Sequence, residues 1–105
     1  MARLPSSFRR RNRTTRNFRN QYARLPRNIR ELVRAYCIKF NEDPDQASLR
    51  RHELEDGRQG SHEPKSISVS ITMRYRAIYF VDHQGINVWY WIGTHDDYDT
   101  FTGGR

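Results

Sequence analysis

The stretch Lys65–Phe101, KSISVSITMRYRAIYFVDHQGINVWYWIGTHDDYDTF, constrains the fold most, because its apolar residues follow a strand period rather than a helical one. In Ser66 to Thr72, Ile67, Val69 and Ile71 alternate with Ser66, Ser68, Ser70 and Thr72, the pattern of a strand with one buried and one wet face. Tyr75 to Val81 is almost wholly β-branched or aromatic, which suits the middle of a sheet covered on both faces. Asp82-His83-Gln84-Gly85 supplies a turn, and Asn87 to Ile92 resumes the strand pattern. Gly93 to Asp99 then turns abruptly polar. The expectation is a three-stranded antiparallel meander ending in a polar tip, where titratable groups are held at the end of a stiff strand. Alternation along the last strand puts Trp89 and Trp91 on one face and Tyr90 on the other, with at least one Trp beneath any covering helices.

Upstream, Leu4 to Asn12 fits a short edge strand or a disordered basic arm, and the strand is the expectation taken, with residues 1–7 as the arm. Thr14 or Thr15 caps a helix running to about Arg24, with Phe18, Tyr22 and Leu25 on one face. Pro26 stops it and opens a second helix, Arg27 to about Asn41, whose stripe is Ile29, Leu32, Val33, Tyr36, Cys37 and Phe40. Asn41 to Gln46 is a loop, Ala47 to Leu54 either a turn of helix or a short extended piece, and Glu55 to Pro64 an exposed loop. Residues 102–105 form a tail. One domain spans 1–105: an α+β sandwich, with a twisted antiparallel sheet of about four strands, the helical hairpin packed on one face and the other face open.

Charge narrows the partners. Of 19 basic residues 17 are Arg, against 12 acids, and Met1 to Arg34 holds eleven Arg and one acid, Glu31. An Arg fork pairs with phosphate through two bonds, so a nucleic-acid or acidic-protein partner is expected; the Arg-rich front is either a solvated face or an RNA-binding one, and the scarcity of acids there favours the second. One cysteine fits a reducing compartment, and no run has the length of a membrane span or the apolar core of a signal peptide, so a cytoplasmic protein with no membrane partner is expected. His52, His62, His83, His95 and Cys37 show no zinc-ligand spacing, so neither a metal site nor a cofactor is expected.

Several short pieces resemble the RelE/ParE superfamily of bacterial toxins from type II toxin–antitoxin systems. They are Leu25-Pro26-Arg27-Asn28-Ile29-Arg30, Ser48-Leu49-Arg50-Arg51-His52-Glu53-Leu54, Ser66-Ile67-Ser68-Val69, Tyr75-Arg76-Ala77-Ile78-Tyr79 and Trp91-Ile92-Gly93-Thr94-His95-Asp96-Asp97-Tyr98-Asp99. Each is short, but they run in the family's order over roughly Phe8 to Phe101.

The resemblance implies a ribosome-dependent mRNA endoribonuclease without a metal, in which a 2′-hydroxyl attacks the adjacent phosphate, and a cognate antitoxin partner. Its alternatives are a ParE-like inhibitor of DNA gyrase and a non-catalytic RNA-binding relative, since one fold carries all three. The cleavage needs a base, an acid and positive charge at the phosphorane. By resemblance Arg76 faces the phosphate, His95 exchanges a proton as an imidazole does near neutral pH, and Tyr98 stacks on or orients a base. Lys65 and Arg74 are the nearest cations to a first meander strand that carries Ser where relatives carry Lys or Arg, and His52 and Glu53 reach toward the same face. The rival reading of Arg76 is a salt bridge to Asp82, Glu53 or Asp97, and that of His52 and Glu53 a surface pair. Asp96, Asp97 and Asp99 would stabilise an imidazolium at His95 while repelling phosphate.

Overall fold

A computed structural model of the chain describes residues 11–43, 45–54 and 60–103. The expected strand from Leu4 and the basic arm at 1–7 fall outside the described residues, as do 55–59 of the loop and 104–105 of the tail. A strand is present at the downstream end of that expected range. It is β1, Asn12–Thr14, followed by α1, Arg16–Ala23, and α2, Arg27–Glu42. A 3-10 turn, Ala47–Leu49, leads to β2, Arg51–Glu53, then β3, Ile67–Ser70, β4, Tyr75–Val81, β5, Asn87–Thr94, and α3, His95–Thr102.

The five strands form one sheet in the order β1-β5-β4-β3-β2. Pairing is antiparallel across β2, β3, β4 and β5, while β1 pairs with β5 in parallel. The sheet is therefore mixed and one strand wider than expected. The piece Ala47 to Leu54 holds both alternatives at once, a 3-10 turn and then a short strand.

The helical hairpin forms as its caps and spacings predict. The Thr15 hydroxyl accepts from the Phe18 N–H at 3.1 Å, and the Pro26 carbonyl accepts from Ile29 and Arg30 at the start of α2. Phe18, Tyr22, Leu25, Val33, Tyr36, Cys37 and Phe40 are all buried against Val69, Ala77, Tyr79, Trp89 and Ile92 of the sheet. Leu32 departs from the expected stripe and is 46% exposed, because 3.6 residues per turn carries it to the flank while Ile29, Val33, Tyr36 and Phe40 stay inward. The centre is aromatic: the Tyr79 and Trp89 rings lie 4.5 Å apart, and Phe40 meets both edge-on at 5.5 and 5.1 Å. Each such ring contributes roughly 1.5–3 kcal/mol by leaving water. Burial also pushes the Cys37 thiol up to about 12.

One irregularity decides which side of the sheet each aromatic takes. The β4–β5 register pairs Ile78 with Trp91 and Tyr79 with Trp89, so Tyr90 is an extra residue, a β-bulge. Trp89 consequently packs under the helices, and Trp91 turns to the opposite face, against Phe101. The expectation that the two tryptophans share a face fails for this reason. The bulge and the shortness of β1 leave β5 backbone groups to α1: the Ile92 N–H donates to Gln21 Oε1 at 2.9 Å, and Asn17 donates to the Tyr90 carbonyl at 3.3 Å.

The second face is not wholly open either. Thr94 caps α3 by accepting from the Asp97 N–H at 3.2 Å, and Asp96 and Asp97 occupy its first turn, where acids favour a helix. The acids read as a polar tip are a helix start. Tyr98 and Phe101 then fall on one side and cover Trp91, at 6.1 and 5.3 Å between ring centres. Ser61 N–H donates to the Phe101 carbonyl, and Tyr90 bonds the Ser66 hydroxyl beneath it. Among the described residues, what remains uncovered on this face is the end of the sheet beside Ser70.

Candidate functional site

That uncovered end is a cleft of about 500 Å³ lined by Arg50, Ser70, Ile71, Thr72, Met73, Arg76 and His95. Its floor is one row across the sheet. Arg50 immediately precedes the Arg51–Val69 pair and lines the cleft with Ser70; Ser70 pairs with Arg76, and Arg76 with Gly93, two residues before His95. One wall is the β3–β4 turn. It is closed by Ile71 and Thr72 N–H groups donating to the Tyr75 carbonyl, and it is tied to α3 by the His95 N–H donating to the Arg74 carbonyl at 2.7 Å.

Arg76 is on the face away from the hairpin, since its neighbour Ala77 packs beneath the helices. Its guanidinium bonds the Ser70 hydroxyl and lies over the Tyr98 ring, 5.5 Å from the centre. Among the described residues no carboxylate pairs with Arg76, so the salt bridge to Asp82, Glu53 or Asp97 is not formed; Asp82 instead meets Arg13 at 3.8 Å. Asp82 also accepts from the Ile86 and Gln84 N–H groups, and these bonds, Ile86 first, hold its carboxyl below the usual carboxylate range.

His95 opens α3, and its Nδ1 is 3.3 Å from Asp99 Oδ2 one turn on. Asp99 is therefore the acid that faces the imidazole, while Asp96 and Asp97 are exposed at the helix start. With Nδ1 engaged by a carboxylate, Nε2 is the nitrogen left for proton exchange. The imidazole is half exposed, which gives a reactant access to it.

The other residues singled out in the sequence are distributed more widely. Tyr98 does not line the cleft; its ring is the platform under Arg76 and packs on Trp91. Arg74 joins the site through its backbone, its side chain being exposed outside the cleft. Lys65 precedes Ser70 by five residues, roughly 16 Å of extended chain, and sits at the far end of β3. His52 and Glu53 do not share a face: His52 pairs with Ser68 on the side of the cleft and Glu53 with Ile67 on the side of the hairpin, and neither reaches the cleft. Strand alternation separates them, and three exposed residues are too few to show that alternation in the sequence.

Arg50 is the cleft cation that sequence reasoning missed. Its signal is positional, for only the pairing of β2 with β3 brings the residue before Arg51 to the cleft.

A five-stranded sheet with an N-terminal helical hairpin on one face and a short C-terminal helix on the other is a RelE-like fold. A solved counterpart is the crystal structure of the archaeal RelE–RelB complex from Pyrococcus horikoshii OT3, which superposes with a TM-score of 0.60 over 80% of this chain and 92% of that chain, at 14% identity. At that identity the likeness shows the fold. The sequence matches no protein-family model and no curated protein.

Proposed function

We propose that this chain is the toxin of a type II toxin–antitoxin pair and that it cleaves messenger RNA on the ribosome. In the reaction a 2′-oxygen bonds to the adjacent phosphorus as the 5′-oxygen leaves, giving a 2′,3′-cyclic phosphate and a 5′-hydroxyl end. The observation that carries the reading is that Arg76 and His95 line the same cleft, on the face the hairpin does not cover. The Arg76 fork, held between Ser70 and Tyr98, supplies charge for the phosphorane, and His95 exchanges a proton through Nε2. Tyr98 positions Arg76. No step calls for a metal.

A protein partner belongs to the same reading. The solved RelE is bound to RelB, and a basic cleft on a chain of net charge +7 suits an acidic segment of an antitoxin. The exposed arginines of α1 and α2 suit ribosomal RNA.

Induced expression tests the reading. Growth should arrest, and transcripts should acquire new 5′-hydroxyl ends; Arg76→Ala and His95→Ala should lose both effects. Arrest of equal strength by both variants sinks the nuclease reading. Arrest with inhibited gyrase supercoiling and intact transcripts would transfer the chain to the ParE-like class.

A further inference from the structure

We propose that Arg50 is a second phosphate-gripping residue, holding the RNA strand one phosphate away from the one Arg76 engages, so that the cleft binds two successive phosphates of a single strand. This rests on the RNA reading above and extends it to a residue outside that reading.

Three observations carry it. The first is availability. Arg50 and Arg51 are adjacent, yet Arg51 is committed to structure, donating to the Tyr79 hydroxyl at 3.1 Å and pairing with Asp45 at 2.9 Å. Arg50 is exposed, lines the cleft and, among the described residues, has no carboxylate partner. The second is spacing. Arg50 directly precedes β2 and Arg76 lies on β4, on either side of β3, and both line the cleft with Ser70, so their backbones are about two strand spacings, roughly 10 Å, apart. Two long side chains from such positions can take neighbouring phosphates but have no need to share one. The third is backbone conformation. Arg50 has φ 53 and ψ 52, the left-handed region, with its N–H donating to the Ala47 carbonyl at 3.0 Å. Gly or Asn takes that conformation more readily, whereas an Arg holds it at a cost of about 1–2 kcal/mol. A charged side chain kept where the backbone favours Gly points to use of the side chain.

The same backbone makes the test clean, because Arg50→Gly relieves the fold while removing the charge. Purified parent, Arg50→Gly, Arg50→Lys and Lys39→Ala, the last on the hairpin side, are titrated with a fluorescent single-stranded RNA 2′-O-methylated throughout, which binds without being cut. Anisotropy is read over a range of salt. The expected result is that Arg50→Gly unfolds in urea no earlier than the parent, binds about tenfold more weakly at low salt, and shows a log K against log salt slope shallower by about 0.7, one phosphate contact. Arg50→Lys keeps the slope and loses part of the affinity with the fork, and Lys39→Ala matches the parent. Parental affinity and slope in Arg50→Gly overturn the proposal, as does an equal loss in Lys39→Ala, which would mean diffuse charge alone. A parent that binds no free RNA overturns this proposal and leaves the nuclease reading to the 5′-hydroxyl ends sought on induction, and a parent that binds with an Arg50→Gly that binds equally likewise removes this one alone.

Discussion

Asn12→Ala should be among the most damaging polar substitutions in the chain. Asn12 is 6% exposed, and its Oδ1 accepts two bonds, from Trp89 Nε1 at 2.9 Å and from Asn87 Nδ2 at 3.0 Å. Alanine leaves Asn87 half exposed and able to turn to water, a loss of about 1 kcal/mol, and it takes from the indole N–H of Trp89, which is 3% exposed, the bond that Asn12 Oδ1 accepts. Loss of that bond at a buried donor costs a further 1–3 kcal/mol or so, giving roughly 2–4 kcal/mol in all. For a domain of this size that lowers Tm by about 10–25 °C and removes a large share of a typical stability. Urea unfolding followed by far-UV circular dichroism measures it, with Trp89→Phe and the double variant completing a cycle. Phe has no N–H to strand, so in that background Asn12→Ala should cost only about 1 kcal/mol, a coupling of about 1–3 kcal/mol. Equal costs in the two backgrounds would refute the account, and would mean that Asn12 acts through the Asn87 bond and the β1 backbone alone.

Three further perturbations probe other parts of the structure. Gln21→Leu strands the Ile92 N–H at the bulge and should cost about 1–3 kcal/mol, with faster exchange of the Ile92 amide; unchanged exchange counts against the pairing. Thr94→Ala removes the cap of α3 and should cost about 1 kcal/mol in urea; no loss of stability would mean that α3 is held by Tyr98 and Phe101 packing alone. The Cys37 thiol, with its pKa raised to about 12 by burial, keeps its proton in the folded chain while the unfolded chain releases it near 8.5, so stability is full below that value and falls as pH rises toward 12. Between pH 8 and 9.5 the fall should be about 1 kcal/mol and should vanish in Cys37→Ala; the same slope in both chains would assign it elsewhere.

The sheet and hairpin were legible because their signals are local. The alternation of Ile67, Val69 and Ile71, the Phe18, Tyr22, Leu25 spacing, the Thr15 cap and the Pro26 break each act within a few residues, and packing did not override them. Arg76 and His95 were found through the resemblance and lie in one cleft. What was not legible depends on distant pairing. β2 has three residues, all exposed, too few to show alternation, so its register and the site position of Arg50 were hidden. Helix α3 was masked because three aspartates within four residues suggest a polar loop, although Thr94 with Asp97 three residues on is a capping pattern. The parallel course of β1 comes from the hairpin returning the chain across one face of the sheet, which no residue of β1 declares.

The extra residue at Tyr90 makes β5 unequally tolerant of losing length. Excising Tyr90 would close the ladder on pairs that already exist, Tyr79 with Trp89 and Ile78 with Trp91, and leave every later side chain on its present side. Removing a residue beyond the bulge, such as Ile92, with the bulge left in place would invert the parity of the positions after it, carrying Gly93 and the start of α3 to the hairpin side and dismantling the cleft. Shortening by one residue is thus best absorbed at the bulge, and at Tyr90 the loss would be the aromatic plug over Ser66 rather than the row that holds Arg76.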